Sequence, residues 1–225
     1  FQFKSISRPE LLNLSNLKIA TLYRTIDALL SQDLVVTKTN GTSTVGRPSE
    51  LLSINGDYGY IYCFIVRRYE CTIAIVDFAG DIIYENSFDC SHFQPKELID
   101  FCCKLLNKNS YELELDPDRL LGISFSTFGE PIFSNDKEAL PVYPGFRWNR
   151  FNVVNELQAL YSKPIIFDYL ARSSVMGYYL HKYFEDYRNL AFIIIDEGIS
   201  VGIIVDGKLI KGSIRIVNGL GHMVV

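Results

Sequence analysis

The order of hydrophobic segments after residue 57 constrains the fold of this chain more than any other sequence feature. Three segments rich in β-branched and aromatic residues come first, at Tyr58–Val66, Cys71–Asp77 and Ile82–Ser87, and this composition predicts strands. Helical and strand patterns then alternate along the chain. Strands in hairpin order followed by alternating helices and strands predict a mixed β-sheet that helices cover on both faces.

The later segments can be placed from their patterns. Asp77 and Gly80 predict a tight turn between the second and third strands. The helices are predicted from Lys96 to about Asn107, near Arg150–Tyr161 and near Ala171–Phe184, and the strands at Leu121–Phe128 and Pro164–Phe167. This order is typical of a ribonuclease-H-like α/β lobe of the actin-type ATPase class, which we assign to residues 57–187.

A second lobe is predicted to begin at residue 188. Strand patterns occur at Leu190–Ile195, Val201–Asp206 and Lys208–Ile210, and Asp206-Gly207 predicts a hairpin turn. Three strands alone would leave apolar faces uncovered. We therefore expect residues 188–225 to be the truncated start of this lobe. The absence of an initiator Met likewise predicts that the chain starts inside a longer protein.

Residues 1–56 are predicted to form a separate winged helix-turn-helix domain. Ser7 is a good N-cap and Pro9 suits a first helical turn, which predicts a helix from about Pro9 to Leu14. A second helix follows from about Lys18 to Ser31, with a predicted buried stripe of Ile19, Leu22, Ile26, Leu29 and Leu30. This spacing allows the second helix to enter a major groove.

The wing is predicted from two short strands, Leu34-Val35-Val36 and Leu51–Ile54. The loop between them contains Gly46-Arg47-Pro48. Because the proline stiffens the chain after it, Arg47 is suited to a narrow minor groove, where negative potential is enhanced. The alternative is an ordinary small helical subdomain whose polar face is solvated.

The charge distribution agrees with a DNA-binding N-terminal domain. The net charge is −4, yet residues 1–56 hold six bases against four acids, and the remainder holds 16 bases against 22 acids. A basic segment joined to an acidic body is typical of a DNA-binding domain attached to a domain with another role. The predicted DNA-binding residues are Arg8, Lys18, Thr21, Tyr23, Arg24, Thr25, Lys38, Gly46 and Arg47, with Lys4 as a further phosphate contact.

The cysteines and the hydropathy exclude several classes of protein. The five cysteines are odd in number and form no CxxC pair, which predicts reduced core thiols in a cytoplasmic protein. His92 and His181 have no ligand-like spacing and are predicted at the surface. No apolar run reaches the about 18 residues of a membrane span, and the N-terminus lacks the apolar region of a secretory signal.

A series of short motifs occurs in a characteristic order. They are Ser7-Arg8-Pro9-Glu10-Leu11, Ala20-Thr21-Leu22-Tyr23-Arg24, Gly46-Arg47-Pro48, Leu121-Gly122-Ile123 with Gly129, Trp148-Asn149, Pro164-Ile165, Gly198–Leu209 and Gly221-His222-Met223. In these the chain resembles the ROK family (repressors, open reading frames, kinases), particularly its xylose- and N-acetylglucosamine-type repressors. The resemblance implies an effector site at Phe128, Gly129, Asp168, Tyr169 and His222. It also implies that His222 is one ligand of a structural zinc ion in the full-length protein.

The chain departs from the kinases of the family at each catalytic part. The resemblance places the catalytic base at Leu170, after Tyr169, and Asp168 could replace it only if the alignment shifts by two residues. The phosphate loops, which should read Asp-x-Gly and Gly-Thr-Gly, are Val66-Arg67-Arg68 and Asp196-Glu197-Gly198, and Gly219 replaces a sugar-binding Glu. We therefore expect no phosphoryl transfer.

The leading hypothesis is a sequence-specific regulator of carbohydrate-metabolism genes, a repressor that binds an operator as a homodimer and responds to a sugar or sugar derivative. One alternative is an ATP-dependent ROK sugar kinase with an extra DNA-binding domain. The other is a protein that binds DNA without any effector.

Overall fold

The computed structural model describes residues 4–39, 50–128, 130–134, 138–142, 151–180, 187–196 and 198–210. The N-terminal part contains two helices and a small antiparallel sheet of order β1-β3-β2. Its elements are β1 (Ile6–Ser7), α1 (Arg8–Leu14), α2 (Ile19–Ser31), β2 (Val35–Thr39) and β3 (Glu50–Ile54). Both helices start and end within one residue of their predicted bounds, because caps and periodicity are local signals.

A small core holds this part together, and it corrects the predicted stripe on α2. Leu22 and Ile26 of α2 are buried and pack with Leu52 of β3, and Leu30 is partly buried against them. Ile19, by contrast, is 58% exposed. It is the first residue of α2 and lies one turn before the residues that pack on Leu52, so the prediction that it is buried was wrong.

The central sheet has five strands in the order β10-β7-β4-β5-β6. They are β4 (Tyr60–Val66), β5 (Glu70–Asp77), β6 (Ile82–Asp89), β7 (Leu120–Thr127) and β10 (Ile165–Tyr169). Strands β4, β5 and β6 pair antiparallel, whereas β7 pairs parallel with both β4 and β10. Gly80 has a φ of 87°, and its N–H donates to Asp77 O at 3.0 Å. The predicted mixed sheet and its tight turn are therefore confirmed.

Helices α3 (Pro95–Glu112) and α4 (Val153–Leu160) contribute to the main core beside this sheet. Every second residue of β4 is buried, and its Phe64 packs in the same cluster as Ile99, Leu106 and Leu157. Helix α3 is longer than predicted and has 18 residues. None of the described helices is long and apolar enough to cross a membrane.

A two-stranded hairpin was not predicted. It is formed by β8 (Glu130–Ser134) and β9 (Glu138–Val142), and Pro131 pairs with Pro141 across it. Proline cannot donate to a strand ladder, so its presence argues against a strand when only the sequence is read.

A second, separate sheet is formed by β11 (Leu190–Ile195), β12 (Ile199–Val205) and β13 (Lys208–Leu209). The predicted hairpin turn is present, since Asp206 and Gly207 have φ values of 51° and 75° and both central positions of such a turn need positive φ. Helix α5 (Leu170–Tyr178) packs on β11 and β12. Its contact with β12 is close, because a Cβ added at Gly202 would overlap the carbonyl oxygen of Ala171.

The cysteines lie in or near the core with free thiols, as expected. Cys71, Cys90, Cys102 and Cys103 are buried and Cys63 is half-buried. Burial raises the pKa of the Cys63 and Cys103 thiols to about 11. His92 is exposed, as predicted.

Candidate functional site

Helix α1 starts from a well-formed cap, which fixes where the helix pair begins. The Glu10 backbone N–H donates to Ser7 Oγ at 3.4 Å, and the Ser7 backbone N–H donates to Glu10 Oε2 at 2.9 Å. Ser7 Oγ also donates to Glu10 Oε2 at 2.7 Å. This side-chain hydrogen bond and the one from the Ser7 backbone N–H lower the pKa of the Glu10 carboxyl. Four residues separate the end of α1 at Leu14 from the start of α2 at Ile19.

The exposed face of α2 carries several of the predicted DNA-binding residues. Thr21, Arg24 and Thr25 are exposed, and their spacing of three and four residues places them on one face of the helix. Thr25 Oγ1 donates to Thr21 O at 2.9 Å, so the Thr25 hydroxyl is hydrogen-bonded to the backbone of its own helix. Lys18, which precedes the helix, is exposed as well. Lys38 is exposed on β2, in a different element.

Arg8, another predicted DNA-binding residue, is engaged inside the protein. Its side chain is only 20% exposed, and its Nη1 lies 3.3 Å from Asp27 Oδ1 while its Nε lies 3.7 Å from Glu50 Oε2. The guanidinium carbon also lies 5.2 Å from the centre of the Tyr23 ring. Arg8 and Tyr23 therefore belong to a cluster that joins α1, α2 and β3.

The second candidate region is the carboxyl edge of the parallel strands. Val66 pairs with Thr127, which pairs in turn with Tyr169, so the last residues of β4, β7 and β10 lie in one row. Arg67, Phe128 and Leu170 follow these three residues at that edge. Ligands of open α/β sheets bind outside this edge. The parallel register thus brings the predicted effector residues Phe128, Asp168 and Tyr169 to one edge.

Asp168 is the carboxylate that the sequence analysis considered as a replacement for the catalytic base, and it forms an ion pair with Arg172. Its Oδ1 lies 3.2 Å from Arg172 Nε, with the two side chains 26% and 16% exposed. The same oxygen accepts the Tyr169 backbone N–H at 2.7 Å, and the Arg172 guanidinium lies 5.8 Å from the Tyr169 ring centre. Leu170 is 6% exposed, so an apolar, buried side chain stands where the resemblance places the base.

The β4–β5 turn carries Arg67 and Arg68 at the position where the resemblance to ROK kinases places the first phosphate loop. The Arg67 backbone N–H donates to Glu70 O at 2.8 Å and closes the turn. The Arg68 guanidinium lies 5.2 Å from the Tyr69 ring centre. Thr127 Oγ1, which is buried, donates to Val66 O at 3.0 Å and joins the ends of β4 and β7. This edge therefore presents side chains rather than a glycine cradle of backbone N–H groups.

Three residues that contact predicted site residues were not predicted from the sequence, namely Asp27, Glu50 and Arg172. Asp168 and Arg172 are four residues apart across a strand-to-helix junction, a spacing that could have drawn attention to Arg172. The contacts of Arg8 with Asp27 and Glu50 span 19 and 42 positions, and no local pattern signals them.

Some predicted residues lie outside the described ranges, namely Gly46, Arg47, Gly129, Trp148, Asn149, His181, Glu197, Gly219 and His222. Within the described ranges, no group of three or more His, Cys, Asp or Glu side chains is arranged to hold a metal ion. The zinc expectation depends on His222 and therefore stays a prediction.

Relatives with assigned names align with almost the whole chain. The xylose repressor of Caldicellulosiruptor bescii is 26% identical over 226 residues, which cover 99% of this chain and 55% of the relative. The xylose repressor of Bacillus subtilis is 22% identical over 98% of this chain and 56% of its own length. The chain thus spans about half the length of the curated relatives that it matches.

Solved structures share the fold. A ROK family transcriptional regulator, a homologue of the E. coli MLC protein, superposes with a TM-score of 0.70 at 21% identity over 97% of this chain and 55% of that chain. A ROK family glucokinase from Streptomyces griseus, in complex with glucose and AMPPNP, gives 0.60 at 17% identity over 73% of this chain and 50% of that chain. The α/β part therefore has the ribonuclease-H-like fold of ROK proteins.

The sequence pattern that defines the ROK family matches residues 68–225, more than half of the chain. This match agrees with the five-stranded mixed sheet, with the separate sheet that follows α5 and with the relatives. The chain belongs to the ROK family.

Proposed function

We propose that this chain is part of a ROK transcriptional regulator, a repressor of carbohydrate-metabolism genes that binds DNA through a winged helix-turn-helix in its N-terminal part. The observation that carries the proposal is the exposed face of α2. Leu22 and Ile26 are buried on one side of this helix, whereas Thr21, Arg24 and Thr25 are exposed on another. The alignment with xylose repressors includes this region and supports the proposal.

The dimensions of α2 suit a major groove. The helix has 13 residues and is about 20 Å long at the usual rise per residue. A major groove about 12 Å wide admits a helix, whose side chains then reach base edges. In this arrangement Thr21, Arg24 and Thr25 contact bases or neighbouring phosphates, and Lys18 contacts a phosphate at the start of the helix.

The wing completes the proposed DNA interface. Strands β2 and β3 pair antiparallel, as the strands of a wing do, and Lys38 is exposed on β2. Lys38 would contact a phosphate, while Gly46 and Arg47 of the connecting loop would enter a minor groove. Two such domains in a homodimer would bind paired half-sites of an operator.

The α/β part is proposed to be the effector domain. Its candidate site is the carboxyl edge of β4, β7 and β10, with Phe128, Gly129, Asp168, Tyr169 and His222 as the proposed contacts. The S. griseus glucokinase, which shares this fold, is in complex with glucose, and this supports a sugar or sugar derivative as the ligand. Such a ligand would favour one of two states that differ in DNA affinity.

We propose further that this protein is not a kinase. A sugar kinase needs a base that can take the proton of the attacking hydroxyl. Leu170 is apolar and buried, and the neighbouring Asp168 carboxylate already pairs with Arg172. The sequences Val66-Arg67-Arg68 and Asp196-Glu197-Gly198 also stand in place of the glycine-containing phosphate-loop motifs. Because sugar kinases share the fold, the alternative of an ATP-dependent sugar kinase is tested by a separate experiment.

The DNA-binding proposal is tested by selection. Duplexes enriched from a random-sequence library by the unchanged chain serve as the specific probe, and fluorescence anisotropy then measures Kd. Arg24→Ala is expected to weaken binding to the selected duplex about tenfold. Lys104→Ala removes the same charge from an exposed position on α3 and is expected to leave Kd nearly unchanged.

Two outcomes would contradict the proposal. If no sequence is enriched, the chain is not a sequence-specific DNA-binding protein. If Arg24→Ala and Lys104→Ala weaken binding equally, α2 does not carry the interface. For the enzyme alternative, a coupled assay with ATP and a panel of hexoses and pentoses is decisive, because turnover above background would make the protein a kinase.

A further inference from the structure

We propose that Arg8 is a positioning residue that holds the DNA-reading helix α2 at a set angle to the wing strand β3, and that it makes no DNA contact of its own. This inference rests on the proposed DNA-binding function. Arg8 is the first residue of α1, and its guanidinium contacts Tyr23 and Asp27 on α2 and Glu50 on β3. Three elements of the N-terminal part therefore meet at one side chain.

The strand register places Arg8 beside Glu50. Ile6 pairs with Leu52 and Ser7 with Leu51 in the antiparallel ladder of β1 and β3. Arg8, the first residue of α1, directly follows Ser7, and Glu50 directly precedes Leu51, so this last pair of the ladder places the start of α1 beside the start of β3. In this position Arg8 Nε lies 3.7 Å from Glu50 Oε2.

The contacts on α2 lie on one flank of that helix. Tyr23 and Asp27 are one turn apart and share a face. At about 100° per residue, this flank lies between the buried face of Leu22 and Ile26 and the exposed face of Arg24. A planar guanidinium fixed between these residues and β3 resists rotation of α2 about its own axis, and such a rotation would turn the exposed face away from the groove.

The charge balance of the cluster argues against a direct DNA contact. Arg8 is mostly buried, and the two carboxylates that contact it are themselves exposed. A phosphate approaching Arg8 would meet Asp27 and Glu50 first and would be repelled. Arg24 differs, because it is exposed on the adjacent face and forms no ion pair with any of the described residues.

The test uses a variant for which the loss of charge and the loss of positioning are expected to change DNA affinity in opposite directions. Asp27→Ala removes a negative charge from α2, so electrostatics alone would strengthen DNA binding. We expect it instead to weaken binding to the selected duplex about tenfold, because Arg8 loses its partner on α2. Binding to a random-sequence duplex should stay equal or become slightly tighter.

Arg8 itself is tested by two substitutions. Lysine would preserve a phosphate contact as a point charge but cannot reproduce the guanidinium fork. Arg8→Lys is therefore expected to weaken binding to the selected duplex as much as Arg8→Ala, with the dependence of Kd on salt unchanged. If Arg8→Ala does not fold, as judged by its thermal unfolding, Arg8→Lys and Asp27→Ala carry the test.

A phosphate contact would behave differently in three respects. Arg8→Lys would bind like the unchanged chain, Arg8→Ala would weaken binding to selected and random duplexes equally, and Arg8→Ala would lower the slope of log Kd against log salt concentration by about one. These results would overturn the inference. It is also overturned if Asp27→Ala tightens binding to the selected duplex. The proposed function fails earlier and separately, when the unchanged chain enriches no duplex.

Discussion

The Asp168 carboxylate at the end of β10 lies 3.2 Å from the Arg172 guanidinium in the first turn of α5. The pair stands at the carboxyl edge of the parallel strands, beside the buried Leu170. An oxygen that already lies in an ion pair and accepts a backbone N–H is poorly available as a general base. This arrangement agrees with the proposal that the protein is not a kinase.

Breaking this pair should destabilise the chain. Arg172→Ala leaves a partly buried carboxylate without its cation, and we expect the free energy of unfolding at pH 7 to fall by about 1 kcal/mol, since the pair retains some contact with water. Urea denaturation measures the change. Arg188→Ala, at an exposed position, serves as the control and should have little effect. Equal stability of both variants would show that the pair contributes nothing.

Restoring a carboxylate at Leu170 should not create a kinase. Leu170→Asp places a charge in a buried position, and we expect a loss of about 2 to 3 kcal/mol in the free energy of unfolding. Leu170→Met keeps the volume and should cost less. A coupled ATPase assay with hexoses and pentoses should stay at background for both variants, because the phosphate loops also depart from the kinase pattern. Turnover by Leu170→Asp would show that those loops still bind ATP.

The packing of α5 on β12 can be tested at two glycines. Gly202→Ala forces a methyl group into the backbone of Ala171, and we expect a loss of about 2 kcal/mol in unfolding free energy. Gly198→Ala meets no atom within 4 Å among the described residues and should change stability very little. Thermal and urea unfolding of the matched pair measure the difference. Similar stability of the two variants would mean that α5 and β12 do not pack this closely.

The cap of α1 predicts a dependence on pH. Hydrogen bonds from Ser7 hold the pKa of Glu10 below its ordinary value, so their contribution is present above the unfolded-state pKa and is lost as the pH falls through the folded-state pKa. Ser7→Ala should therefore reduce stability more at pH 7 than at pH 3. Urea titrations at the two pH values measure this. Ser15→Ala, at the other end of the helix, should show no such difference.

Much of the fold could be predicted because its signals are local. The cap at Ser7 and the periodicity after Lys18 predicted both N-terminal helices. Asp77 with Gly80 and Asp206 with Gly207 predicted two hairpin turns, since these positions need particular backbone angles. The β8–β9 hairpin escaped prediction because Pro131 and Pro141 oppose each other within it.

The sequence by itself determined where the helices, turns and most strands lie, and its motif order indicated the ROK family. Only the tertiary structure decided which of these residues meet. The parallel register brings Val66, Thr127 and Tyr169 into one row, and the β1–β3 ladder sets Arg8 beside Glu50. Capping and turn formation depend on neighbours a few positions away, whereas these contacts depend on how whole elements pack, and no short pattern encodes that.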